Sequence, residues 1–317
     1  MKTVVEPTRA AVVAAVGDNR TVVTIGAYDG VHLGHRAVIA QVRERAATLG
    51  ALSVVVTFDR HPASVVRPES APKLLTDPAQ KLELLASTGV DVTLVVPFGA
   101  QESHESPSDF VNRVLVGALK MREVIVGEDF HFGYKRGGNV ALLREMASAN
   151  DFVVSPLALV ARSDGVNEAV SSTAIRRALS GGDVRRATEM LGRHHEVRGT
   201  VVQGDKRGRT IGFPTANVAV DASLCLPADG VYAARVIIGD HSTHNAAINI
   251  GRRPTFYEHA EHSVLEAHLL DYSGDLYGQA LRVSFVDFLR GERKFAGIDE
   301  LRAQLQTDIA QARAALG

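Results

Sequence analysis

A chain of 317 residues with 45% hydrophobic and 22% charged residues has the composition of a folded globular protein, as one large domain or two of ordinary size, which excludes a disordered chain. Its 35 basic and 36 acidic residues leave a formal net charge of -1, so no global excess of charge recruits nucleic acid or an anionic membrane, and anionic ligands must be met by local groups. The single cysteine, Cys225, rules out an intramolecular disulfide and a cysteine-rich zinc site, and is what a reducing, cytoplasmic setting leads one to expect.

Residues 10–16 form an apolar run after a lone Lys2, but Glu6 and Arg9 interrupt its approach, which argues against a secretory signal. No stretch reaches the ~20 apolar residues of a membrane span. Residues 21–25 read as a strand and 34–49 as a helix with Val38, Ile39, Val42 and Ala46 on one face. Residues 53–58 are a continuous apolar strand of the fully buried, parallel type. A helix follows over 78–87, opened by Pro78 and stopped by Gly89. Then come a strand at 92–96, a helix at 108–119, a strand at 123–126, a helix at 140–149 and a strand at 152–154. This alternation predicts an α/β domain: a Rossmann-like parallel sheet covered on both faces. After Gly181-Gly182 and a short helix at 183–191 the pattern changes. Strands at 232–238 and 264–270, and the alternation of Leu281, Val283 and Phe285 with Arg282 and Ser284, predict an antiparallel β-barrel. The stripe Leu301, Leu305, Ile309, Ala312 and Leu316 predicts a terminal helix. The expected division is 1–185 and 186–317.

The first stretch with chemical character is Gly26-Ala27-Tyr28-Asp29-Gly30-Val31-His32-Leu33-Gly34-His35, between the first buried strand and the helix after it. Parallel sheets bind ligands there, outside the carboxyl ends of their strands. The helix start offers unpaired N–H groups to phosphate, glycines let the backbone come close, and two histidines can donate to a phosphoryl group under attack. The spacing is not that of a G-x-G-x-x-G dinucleotide turn. The second is the run from Gly204 to Asn217, which includes Gly208, Gly212 and the basic Lys206, Arg207 and Arg209. Its backbone N–H groups and local charge suit a polyphosphate, and Thr215 and Asn217, two apart in a strand and so on one face, offer hard oxygens for Mg²⁺. In a strand at 264–270, Glu266 and His268 face away from Leu265, Ala267 and Leu269.

From pattern alone each feature keeps a plain structural alternative. Ser172 or Thr173 serves equally as a helix cap. Asp129 serves as a turn aspartate, His61-Pro62 as a loop, the 204–217 stretch as a solvated hairpin, and Glu266 as an exposed strand glutamate.

The motif D-G-V-H-L-G-H at 29–35 resembles that of the H-x-G-H nucleotidyltransferases in their bacterial FAD synthetase branch. So do T-F-D-R-H-P at 57–62, G-E-D-F-H-F-G at 127–133 and S-S-T-A-I-R at 171–176. The stretch G-R-T-I-G-F-P-T-A-N at 208–217 resembles the riboflavin kinase signature. P-A-D-G-V at 227–231, N-I-G at 249–251, R-P-T-F at 253–256, E-A-H-L-L-D at 266–271, F-L-R at 288–290 and Lys294-Phe295 add to that resemblance. Both sets occur in the order used by bifunctional riboflavin kinase/FMN adenylyltransferases, across nearly the whole chain. The resemblance implies two transferase activities: riboflavin plus ATP to FMN, and FMN plus ATP to FAD and pyrophosphate.

The resemblance further implies roles residue by residue. His32, His35 and Glu266 would be catalytic, with Glu266 the base for the ribityl hydroxyl. Gly26, Asp29, Gly30, Gly34, Ser172, Thr173 and Arg176 would bind ATP for adenylyl transfer, and Phe58, His61 and Asp129 the flavin. Gly204, Gly208, Gly212, Thr215 and Asn217 would bind substrate in the kinase, with Thr215 and Asn217 on Mg²⁺. Riboflavin, FMN and ATP would be the ligands, with no nucleic acid, membrane or obligate protein partner. Two positions depart from the family: Tyr28 stands where Phe is usual, and Arg60 where Pro is usual. Tyr28 is near-isosteric and is expected to change little, while Arg60 adds a charge and flexibility to its loop.

Overall fold

A computed structural model describes residues 1–5, 8–157, 170–204, 208, 211–239, 242–251 and 262–317. The expected features at 205–207, 209–210 and 253–256 lie outside the described residues. The chain divides into two compact units, Met1–Pro72 with Pro78–Ser171, and Lys73–Asp77 with Ser172–Gly317.

The first unit is built on a six-stranded sheet. Its strands are β1 (Lys2–Val5), β2 (Thr21–Ile25), β3 (Leu52–Phe58), β4 (Val92–Val96), β5 (Met121–Gly127) and β8 (Val153–Leu157), with a small hairpin of β6 (His131–Phe132) and β7 (Gly138–Asn139) outside it. The order is β1-β4-β3-β2-β5-β8 and every pairing is parallel. All five residues of β2 and of β4 are buried, as expected of strands covered on both faces, while Val153 on the edge strand β8 is exposed. The helices are α1 (Arg9–Val16), α2 (Leu33–Leu49), α3 (Pro62–Val66), α4 (Pro78–Ala86), α5 (Pro107–Phe110) and α6 (Val140–Asn150). Ile39, Val42 and Ala46 of α2 are buried as the stripe predicts.

Two local differences from expectation have physical causes. The apolar run at 10–16 is α1, whose Val12, Ala15 and Val16 join the sheet's core. The helix expected over 108–119 is α-helical only through Phe110 and then widens into a π-helix at Val111–Ala118, where Leu119 N–H reaches back five residues to Val114 O. A side chain at Gly117 would lie 2.8 Å from Asn112 O, so glycine permits that turn.

The second unit holds α7 (Ser172–Ser180), α8 (Val184–Leu191), a closed barrel and the terminal helix α9 (Ile298–Leu316). The barrel strands are β9 (His195–Val202), β10 (Ala216–Asp221), β11 (Gly230–Ile238), β12 (Thr243–Ile250), β13 (His262–Leu269) and β14 (Ala280–Arg290), ordered β10-β13-β12-β11-β14-β9 and antiparallel throughout. Tyr232, Val283, Phe285, Leu265 and Ala267 fill its core. Ala312 and Leu316 of α9 pack with Ala233 and Leu270. Among the described residues no helix is long and apolar enough to cross a membrane.

Candidate active sites

The strand order of the first unit reverses at β2. The chain steps from β2 to β3 to β4 on one side, then returns to place β5 on the other. A crevice opens at such a switch point, and the turn leaving β2 is the H-x-G-H turn. Its backbone is unusual. Tyr28 (φ 51°), Gly30 (φ 83°) and Val31 (φ 39°) all have positive φ, which for the β-branched Val31 is strained. Packing holds the strain: Tyr28 and Val31 are buried with Ile39, Val55, Leu85 and Val90. The Tyr28 hydroxyl lies 2.7 Å from Thr24 Oγ1, and burial pushes its pKa up. Asp29 is buried at the start of this turn.

His32 is the N-cap of α2, its Nδ1 accepting the His35 N–H at 3.3 Å. With Nδ1 an acceptor, the neutral ring carries its proton on Nε2. The His35 ring stacks on that of His32 at 3.6 Å between centroids. Its Nδ1 is buried with no partner among the described residues. Burial first, and the neighbouring His32 second, hold the His35 pKa well below the usual histidine value, so this ring is neutral at pH 7. At Gly34 a Cβ would lie 3.2 Å from the His32 ring and 3.3 Å from Val170 O.

Phe58, at the carboxyl end of β3, lines a small aromatic cavity with Phe98, Phe110 and Phe132. A larger groove of ≈ 780 Å³ shares Val96, Pro97, Glu102 and Glu105 with it. Phe58 and Phe98 meet edge to face at 5.4 Å, while Phe130 and Phe132 stack at 5.3 Å. His61 does not line this cavity; it caps α3, its Nδ1 accepting the Ala63 N–H at 3.1 Å. Asp129 is exposed in the turn closed by Phe130 N–H on Gly127 O, outside the aromatic lining. Arg60 folds onto its neighbour, donating from its backbone N–H and from Nε to the Asp59 carboxylate at 2.9 and 3.2 Å.

Ser172 and Thr173 open α7, and Arg176 donates to Lys73 O at 2.6 Å. These three residues belong to the second compact unit, whereas His32 and His35 belong to the first.

In the second unit a cavity of ≈ 910 Å³ gathers Gly208, Thr215, Asn217 and Glu266. Glu266 pairs in register with Asn217 of β10 on one side and with Asn249 of β12 on the other, so three polar side chains form a row across three strands. Leu265, Ala267 and Leu269 are buried while Glu266 and His268 are only partly so, the alternation expected of β13. Thr215 differs from expectation. It precedes β10 and is exposed, while Asn217 lies in the strand and is 7% exposed. Thr215 lines the cavity wall all the same: Phe213 N–H bonds to Gly208 O at 2.9 Å, and a Cβ on Gly208 would sit 3.4 Å from Thr215 Oγ1. Gly204 abuts the Asn217 side chain, where any larger residue would collide. Gly212 (φ 89°) is exposed.

Sequence reasoning missed three contributors. Asn249 entered only inside a matched segment, and its alignment with Glu266 follows from barrel register. Asp308 reads as a solvated helix residue but is 1% exposed and takes a bidentate pair from Arg290 at 2.9 and 2.7 Å in the cavity wall. Lys81 reads as a solvated residue of α4, yet its ammonium donates to Phe58 O at 2.7 Å.

Known proteins carry the same two parts. The family described as FAD synthetase matches residues 15–174, and the family described as riboflavin kinase matches residues 191–316. A bifunctional riboflavin kinase/FMN adenylyltransferase of Listeria monocytogenes is 39% identical over 94% of this chain and 93% of its own. One from Pseudomonas fluorescens is 40% identical over 92% of each. A solved structure described as a macrolide-efflux protein from Streptococcus pneumoniae is 28% identical, covers 99% of both chains and superposes with a TM-score of 0.84. With these relatives matched along nearly its whole length, the chain belongs to the bifunctional riboflavin kinase/FMN adenylyltransferase family.

Proposed function

We propose that the chain converts riboflavin to FMN at the barrel and FMN to FAD at the H-x-G-H turn, with ATP the donor in both reactions. The observation that carries this reading is the presence of two separate constellations, His32/His35 at the switch point of a parallel sheet and Glu266/Asn217/Asn249 across a barrel face. The activities divide near residue 185, with adenylyl transfer in 1–185 and phosphorylation in 186–317. Both constellations have the chemistry of phosphate transfer rather than of efflux. The single cysteine suits a reducing, cytoplasmic setting.

In adenylyl transfer an oxygen of the FMN phosphate attacks the α-phosphorus of ATP, and the bond to the β-phosphate breaks to release pyrophosphate. His32 donates from Nε2–H to the phosphoryl oxygens, and the stacked neutral His35 keeps that ring in place. The strained turn at 28–31 and the start of α2 present backbone N–H groups to the phosphates. Gly26, Asp29, Gly30 and Gly34 shape that turn for ATP; the roles of Ser172, Thr173 and Arg176 on its phosphates rest on motif resemblance. The aromatic cavity at Phe58, ≈ 40 Å³, is too small to enclose the flavin; its ring system packs against that aromatic edge from the adjoining ≈ 780 Å³ groove, with His61 and Asp129 on its polar parts.

In the kinase reaction Glu266 accepts the proton of the ribityl hydroxyl as its oxygen attacks the γ-phosphorus and ADP departs. Gly204, Gly208 and Gly212 form the phosphate-side loop. Thr215 and Asn217 offer uncharged hard oxygens beside the Glu266 carboxylate, a donor set that fits Mg²⁺ completed by nucleotide phosphates. Bound there, Mg²⁺ would neutralise and orient those phosphates.

Chromatography of products tests the reading. Purified protein given riboflavin, ATP and Mg²⁺ should yield FMN and then FAD. His32→Ala should stop at FMN. Glu266→Ala should make no FMN from riboflavin but still convert supplied FMN to FAD. Full FAD output from His32→Ala, or unchanged phosphorylation by Glu266→Ala, would overturn the corresponding site.

A further inference from the structure

Lys81 is half-buried on α4, and its side chain reaches the carboxyl end of β3, where it donates to Phe58 O at 2.7 Å. Two carboxylates act on it: Asp29 from the turn after β2 and Asp59 from the turn after β3, both favouring its charged form against the larger effect of burial. A lysine ammonium has three N–H donors. Among the described residues only Phe58 O takes one of them. Among the described residues Arg60, exposed, lies on the Asp59 carboxylate, and Arg36 reaches Val31 O and Ser87 Oγ, whereas Lys81 is held at the carboxyl end of β3 itself. Lys81 is thus a half-buried charged donor with N–H groups beyond the one given to Phe58 O, acted on from both the D-G-V-H-x-G-H and the T-F-D-R-H-P segments.

Adenylyl transfer creates a specific need there. The acceptor is a phosphate monoester, whose second pKa of ~6 makes it largely dianionic at neutral pH. It must approach a turn that already holds the buried Asp29, and must meet a second polyanion, ATP. We infer that Lys81 binds the phosphate monoester of the flavin acceptor and holds it against the H-x-G-H turn. The bond to Phe58 O points to the acceptor rather than to ATP, because the Phe58 ring lines the aromatic cavity while the α2 N-terminus serves the nucleotide. This inference rests on the adenylyltransferase reading above.

The test is steady-state FMN adenylylation by wild type, Lys81→Met and Lys81→Arg, with FMN and ATP varied separately. Loss of one charge-assisted phosphate bond should raise KM for FMN by about tenfold or more in Lys81→Met. KM for ATP should change by less than about threefold, and Lys81→Arg should recover most of the loss. A fall in kcat alone, equal rises in both KM values, or no recovery with arginine would overturn the inference in favour of a structural lysine. Calorimetric titration of FMN, which needs no turnover, separates the two ideas. Wild type that binds FMN through Lys81 but makes no FAD would sink the adenylyltransferase reading and keep Lys81. FMN binding by Lys81→Met that equals wild type overturns Lys81 whatever the turnover.

Discussion

Thr24 and Tyr28 lie four residues apart at the end of β2, and their hydroxyls meet at 2.7 Å in a site that excludes water. The extra oxygen of Tyr28, at a position where the family usually has Phe, has a partner provided by the same turn. The contact helps hold positive φ at Tyr28 and Val31, a conformation that L-residues adopt at a cost of about 1 kcal/mol or more. Thr24→Val leaves a buried phenol without its partner and should destabilise the first unit by about 1–3 kcal/mol. Tyr28→Phe leaves only the smaller hydroxyl unpaired and should cost about 1 kcal/mol. The double variant should cost clearly less than the sum of the two, as urea unfolding would measure; strict additivity would mean that the contact carries no coupling. The placing of His32 and His35 at a strand-to-helix turn was legible in the sequence, because a continuous apolar strand precedes them and an amphipathic helix follows. Lys81 was not, because a lysine on an amphipathic helix normally points to solvent, and only the carboxyl end of β3 gives it a carbonyl to reach.

At the scale of elements, the terminal helix shows how a regular pattern hides a division of labour. Leu301, Leu305, Ile309, Ala312 and Leu316 read as one apolar stripe. In the fold Ala312 and Leu316 are buried against the barrel, Leu301 and Leu305 line the ≈ 910 Å³ cavity beside Glu266, and Ile309 touches both. Asp308 fixes the helix there through its bidentate pair with Arg290, with Gln304 also donating to it at 2.8 Å. The Asp308 side chain is 2% exposed and that of Arg290 19%. Removing one partner leaves a buried charge, so Asp308→Ala should cost about 3 kcal/mol in urea unfolding of the barrel unit. Replacing both partners with apolar residues, Asp308→Leu with Arg290→Met, should recover much of that loss; a cost below about 1 kcal/mol for the single change would show that the pair holds nothing. The strands of the first unit were read closely because fully buried parallel strands are continuous apolar runs. The π-turn at Val111–Ala118 was not, since its apolar spacing fits an α-helix equally well.

For the molecule as a whole, two constellations in two compact units imply that each reaction can be lost without the other, and that FMN made at one can be released and rebound. An equimolar mixture of His32→Ala and Glu266→Ala proteins should therefore make FAD from riboflavin, although neither protein does so alone. Continued absence of FAD from the mixture, with each single activity intact, would mean that FMN does not exchange between molecules.

The sequence by itself determined the fold class, the order of the two architectures and the family. Those depend on periodicity, on turn chemistry and on long motifs whose residues are neighbours along the chain. Tertiary structure alone decided what depends on distant partners. Parallel strand order put the H-x-G-H turn at a switch point, barrel register set Asn217 and Asn249 on either side of Glu266, and packing turned Asp308 from a surface charge into a buried one and Lys81 into a half-buried one bound to a strand carbonyl. A side chain's charge is written in the sequence, but whether water or a fixed dipole surrounds it is settled only when distant segments pack together.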